Sequence, residues 1–139
     1  MADRLRVELA TPTRLVVAET ADEVVVPGID GYFGVLPGHA PLLALLGVGE
    51  VTYRQGRDER YLALSGGFAE VGPDRVTLLA ETAERADEID AGRARAALER
   101  AEGRLAGRGS EETDYPRALR ALARARSRLQ VAGRRAGAA

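Results

Sequence analysis

From Arg4 onward, apolar and polar residues take turns: Leu5, Val7 and Leu9 fall on one side, Arg4, Arg6 and Glu8 on the other. A period of two marks a strand with one buried face. Short runs rich in Val, Leu and Tyr follow at residues 14–19, 23–26, 50–54, 60–64, 68–71 and 75–81. Turn formers separate them: Thr11-Pro12, Pro27-Gly28, Asp30-Gly31, Gln55-Gly56, Gly66-Gly67 and Gly72-Pro73-Asp74. Many short strands with frequent turns predict an antiparallel sandwich or barrel. Pro27, Pro37, Pro41 and Pro73 lack the amide hydrogen of a ladder and mark where central strands should stop.

Beyond Thr82 the period lengthens. Ala94, Ala97, Leu98, Ala101 and Leu105 are spaced as one face of a helix, with Asp90 as its N-cap and Gly107 and Gly109 as its stop. A second stripe, Tyr115, Ala118, Leu119, Leu122, Ala125 and Leu129, has Asp114 as its cap, Pro116 in its first turn and Gly133 at its end. Two helices with a short polar link pack antiparallel. The predicted fold class is α+β: an N-terminal antiparallel β-sandwich over residues 1–86, then a C-terminal two-helix hairpin over residues 87–139. Both stripes are mostly alanine. At about 25 cal/mol per Å² they hold the hairpin weakly, so it should be able to take more than one docked position. Residues 132–139 are expected to fray.

A chain of 139 residues suits one globular domain with an appendage and needs no staple. With no Cys and one His, it offers no disulfide framework, thiolate zinc site, cysteine nucleophile or polyhistidine metal site. All 20 basic residues are Arg, which removes catalytic lysine and the P-loop lysine. The longest apolar run, residues 40–49, is far short of the ~20 residues of a membrane span, and with no targeting segment the expected location is cytoplasmic. Charge is divided between the parts. Residues 1–88 hold 15 acids against 8 Arg and residues 89–139 hold 6 against 12, an acidic body with a basic tail.

Three stretches could carry chemistry. Leu64-Ser65-Gly66-Gly67 is similar to the phosphate-binding signature loop of ABC transporters, but it ends a strand and no Walker lysine accompanies it, so Gly66-Gly67 reads as a bulge or turn needing positive φ. Residues 34–42 (GVLPGHAPL) cannot form a regular strand; they are either a buried crossover whose His39 bonds a carbonyl or a docking loop. No Ser lies in an elbow context, so no nucleophile and no catalytic residue is assigned. On the hairpin, Arg93, Arg100 and Arg104 share one face, and Arg117, Arg120, Arg124 and Arg128 another. Such guanidinium stripes are either a solvated face or a place for a phosphate or carboxylate between the helices. Nucleic acid is the rival ligand, though Tyr115 alone supplies no stacking platform.

The order of these features is specific. A sandwich, GVLPGHAPL, then LSGGFAEV at residues 64–71, VTLLA at 76–80 and a two-helix tail beginning I-D-x-x-R-A closely resemble the epsilon subunit of bacterial F-type ATP synthases. The resemblance implies a non-catalytic rotor subunit. Its sandwich sits at the foot of the central stalk, between the gamma subunit and the c ring, at the cytoplasmic face of the plasma membrane. Its arm folds down or extends toward the alpha and beta subunits, where it restrains ATP hydrolysis while the stalk couples proton-driven rotation to synthesis.

Residue by residue, the resemblance places Asp30, Gly31, Tyr32, Gly38 and His39 in the contact region for gamma and the c ring. Tyr32 stands where some relatives have an acid, which replaces a charge-paired contact with an aromatic one. In some relatives the folded-down arm binds ATP without hydrolysing it. Glu84, Ile89, Asp90, Arg93, Ala94, Arg100, Arg124 and Arg128 match that site. No cofactor is required; ATP is implied as a regulatory ligand. The alternative is an adaptor that binds nucleic acid through the Arg-rich tail.

Overall fold

The computed structural model describes residues 4–108 and 113–137. Eight strands come first: β1 (Leu5–Ala10), β2 (Leu15–Ala21), β3 (Glu23–Gly28), β4 (Gly31–Val35), β5 (Leu42–Leu45), β6 (Val48–Gln55), β7 (Asp58–Val71) and β8 (Arg75–Arg85). One turn of 3₁₀-helix (Ala86–Glu88) leads to α1 (Ala91–Leu105) and α2 (Tyr115–Gly137). The strands hydrogen-bond in the order β2-β1-β8-β7-β6-β3-β4, with β5 on the second half of β7. Every pairing is antiparallel except β1 with β8, which is parallel.

This ladder folds over itself into two layers, because residues from both of its ends share one core. Leu5, Val7 and Leu9 of β1 and Val16 of β2 pack with Val24 and Val26 of β3, Val51 of β6, Leu62 and Leu64 of β7 and Val76 and Leu78 of β8. The alternation read in β1 is the cause: its apolar positions are buried, while Arg6 is exposed and Glu8 half-buried. All members of this core lie between residues 5 and 83, so it closes without the hairpin.

Several expectations need correction. The runs at 60–64 and 68–71 are parts of the single strand β7, which exchanges β6 for β5 as its partner at Gly66-Gly67. Those glycines have φ of 69° and 114°, and a Cβ on Gly67 would lie 2.8 Å from Ala80 Cα, so both conformation and space demand glycine. Strands β4 and β5 were not expected, because β4 is bordered by glycines and β5, Leu-Leu-Ala-Leu, has no alternation. Pro27 lies inside β3, one residue from its end, where pairing with β6 has already stopped at Val25. Finally, α2 passes Gly133 and continues to Gly137 in the stretch expected to fray.

The helix starts are as read: Asp90 Oδ1 accepts the Arg93 amide at 3.1 Å, and Asp114 Oδ1 accepts that of Arg117 at 3.2 Å. Gly107, at φ 74°, follows the end of α1; Gly109 lies outside the described residues. The helices meet through small buried side chains, Ala94 and Ala101 against Ala118 and Ala125. Tyr115 and Leu119, expected on the same stripe, are more than half exposed.

Candidate functional site: the docked arm and the open apolar face

The arm rests on the sandwich through α2, which packs on β6, β7 and the 3₁₀ turn. The contact has a small core of its own: Val131 and Ala132 of α2 with Ala63 of β7 and Ile89, flanked by Tyr61, Ala86 and Ala91. Two arginines of α2 flank those residues. Arg128 makes a forked pair with Glu84 of β8, Nε to Oε1 at 2.8 Å and Nη2 to Oε2 at 3.1 Å. Arg134 makes another with Glu50 of β6, at 3.1 and 3.0 Å, while its guanidinium lies 4.7 Å from the centre of the Tyr61 ring. Glu50 holds the Arg134 guanidinium above its ordinary pKa. Such fork-on-carboxylate pairs have both charge and direction.

Between α2 and the sandwich, Ser65, Thr82, Glu84, Arg124, Ser127 and Arg128 line a recess of about 20 Å³. That is room for one water molecule. Ser127 Oγ is buried there and has no hydrogen-bond partner among the described residues.

The residues matched to an ATP site fall into three groups. Glu84, Arg124 and Arg128 surround the recess. Asp90 and Arg93 meet at the start of α1 through the cap, with Ile89 and Ala94 buried on either side. Arg100 is exposed on α1 and touches neither group in an ion pair. The recess as it stands is closed to anything the size of a nucleotide.

The residues matched to the stalk contact lie toward opposite ends of β4, a strand roughly 13 Å long. Asp30 lies in the exposed turn before it, Gly31 is its exposed first residue and Tyr32 follows on its exposed face. Gly38 and His39 follow it; the Gly38 amide donates to the Pro73 carbonyl at 2.6 Å, and His39 Nδ1 bonds the Ala40 carbonyl at 2.6 Å. His39 is half-buried, so the loop combines a satisfied carbonyl bond with an accessible position.

A larger surface escaped the sequence reading. Ile29, Leu43, Leu45, Phe68 and Leu79 are each more than half exposed. Ile29, Leu45, Phe68 and Leu79 line an open groove of about 590 Å³ along the far half of β7. Apolar area of this kind on a closed sandwich is the signature of a covered face. The clue in the sequence was residues 42–46, LLALL, apolar at every position where a half-exposed strand alternates.

A closed sandwich with an exposed apolar face and a clasped helical arm is the design of a subunit made to sit in a larger assembly. Residues 4–86 match the beta-sandwich domain of the ATP synthase Delta/Epsilon chain, and residues 87–133 its long alpha-helix domain. The chain belongs to the ATP synthase delta/epsilon chain family. It is 52% identical to ATP synthase epsilon chain 2 of Syntrophotalea carbinolica, over 96% of this chain and 97% of that one. To the epsilon chain of Geobacter metallireducens it is 50% identical with the same coverage. A chain of the Euglena gracilis mitochondrial ATP synthase, solved with OSCP, F1 and the c-ring, shares the fold at a TM-score of 0.80 and 23% identity, over 95% of this chain and 82% of that one. Membership makes this a structural subunit of an ATP synthase, not a catalytic one, and favours that reading over the nucleic-acid adaptor. Among the described residues no helix is long and apolar enough to cross a membrane.

Proposed function

We propose that the chain is the rotor subunit of the central stalk, with a sandwich (residues 1–86) that docks and an arm (residues 87–139) that regulates. The apolar face around Leu43, Leu45, Phe68 and Leu79 seats the gamma subunit, and the segments at Asp30–Tyr32 and Gly38–His39 reach the c ring at the cytoplasmic face of the plasma membrane. Rotation driven by protons passes through this foot. Extended toward the alpha and beta subunits, the arm restrains ATP hydrolysis.

The observation that carries this reading is the division of the described residues into two cores, a large one closed within residues 5–83 and a small one that joins Val131 and Ala132 of α2 to Ala63 and Ile89. The four-residue cluster and the two ion pairs that α2 makes among the described residues are weak enough to part without unfolding the sandwich. Once free, the arginines of α2 suit acidic partners. ATP belongs to the same reading: a triphosphate would replace Glu84 as the partner of Arg128 and draw in Arg124, Arg93 and Arg100, widening the recess.

The test is hydrolysis by the assembled complex carrying either the full chain or one ending at residue 86. The shortened chain should raise hydrolysis and leave synthesis in place; equal hydrolysis rejects the regulatory arm. For the nucleotide, calorimetric titration with ATP should give binding that Arg93→Ala and Arg124→Ala both weaken. Equal heats from all three proteins reject it.

A further inference from the structure

The pair at the end of α2 has features that the Arg128–Glu84 pair lacks. The Glu50 side chain is only 9% exposed beneath the arm, against 31% for Glu84. Both its oxygens receive Arg134, and Gln130 Nε2 approaches Oε1 at 3.5 Å. Its backbone is pinned as well: the Glu50 amide donates to the Tyr32 hydroxyl at 3.0 Å. Arg134 is held from its other side by the face of Tyr61. This arginine lies one residue past the region matched to the family's helical domain, so the match does not account for it.

We propose that Arg134 and Glu50 are a latch that sets how often the arm leaves the sandwich, apart from the cluster of Glu84, Arg124 and Arg128; this rests on the mobile arm proposed above. The physical basis is conditional burial. With the arm down, Glu50 is out of water and depends on one guanidinium for compensation; with the arm away, water solvates it. Removing Arg134 therefore penalises the docked state and leaves the undocked one unchanged. Arg128 and Arg134 stand about 9 Å apart along the helix axis and bracket Val131 and Ala132, so the latch also stops α2 from rolling off its cluster.

The chain has no cysteine, which makes a single reporter thiol unambiguous. Ala63, 5% exposed and covered by Val131 and Ala132, becomes the reporter in Ala63→Cys, and its rate of reaction with a small uncharged maleimide measures the undocked fraction. On that background Arg134→Ala and Arg134→Gln, which strand the buried carboxylate, should each speed labelling about tenfold, and Glu50→Gln, which removes it, by less. Arg134→Ala with Glu50→Gln should label no faster than Arg134→Ala alone. Salt at 1 M should speed the reporter chain more than the double variant, in which the Arg128–Glu84 pair is left to be screened. If the Arg134 variants label like their parent, and that parent labels faster than a thiol in the main core, the arm moves and the latch is wrong. If the parent thiol reacts only as fast as one placed in the main core by Val51→Cys, the arm does not leave, and both the latch and the mobile arm fall.

Discussion

The Tyr32 hydroxyl lies over Gly49, where it accepts the amide of the neighbouring Glu50 at 3.0 Å. A Cβ on Gly49 would run into that hydroxyl and into Pro27 Cβ, 2.8 Å away. Gly49→Ala should thus push Tyr32 off its bond or displace β3, at a cost of roughly 1–3 kcal/mol. Thermal unfolding should show a midpoint lowered by several degrees.

Tyr32→Phe separates the bond from the ring. The Glu50 amide loses its acceptor, and the loss should be about 1 kcal/mol in urea unfolding with no change in slope. A change in slope would mean that the ring, and not the hydroxyl, organises β4.

The Arg128–Glu84 pair is partly exposed on both sides, so its contribution is moderate. A double-mutant cycle with Arg128→Ala and Glu84→Gln should give a coupling of about 0.5–1 kcal/mol that shrinks in high salt. No coupling at low salt would reduce the pair to coincidence of position.

Alkaline pH isolates one buried group. Burial, reinforced by the nearby Glu19 charge and the bond that the Tyr53 hydroxyl donates to it, pushes Tyr53 up to about 12. A folded-state pKa raised above the unfolded value contributes stability that is complete below pH ~10 and lost as pH rises toward 12. With no lysine titrating there, the fall should be readable, on the order of 1–2 kcal/mol. Urea unfolding at stepped pH should show Tyr53→Phe flattening that fall.

What the sequence disclosed follows from range. Patterns confined to one element were legible: the alternation in β1, the Asp90 and Asp114 caps, and the left-handed glycines at 66 and 67 all act within a few residues. Strand β5 was not, because a strand apolar on both faces has no period, and the same property made its partner surface look like core. The two clasps were beyond reach for another reason. Arg134 and Glu50 are 84 residues apart, and among 20 arginines and 21 acids nothing local distinguishes them. Arg128 and Glu84 were named together through family resemblance alone.

Strand β7 adds a mechanical consequence. Ala63 lies under the arm and Phe68 faces the open groove, roughly 17 Å along one hydrogen-bonded rod. The two surfaces are thus joined through Gly66 and Gly67, both at positive φ and the second hard against the backbone of β8, so a side chain placed there would disturb the seat of the arm and the apolar groove together.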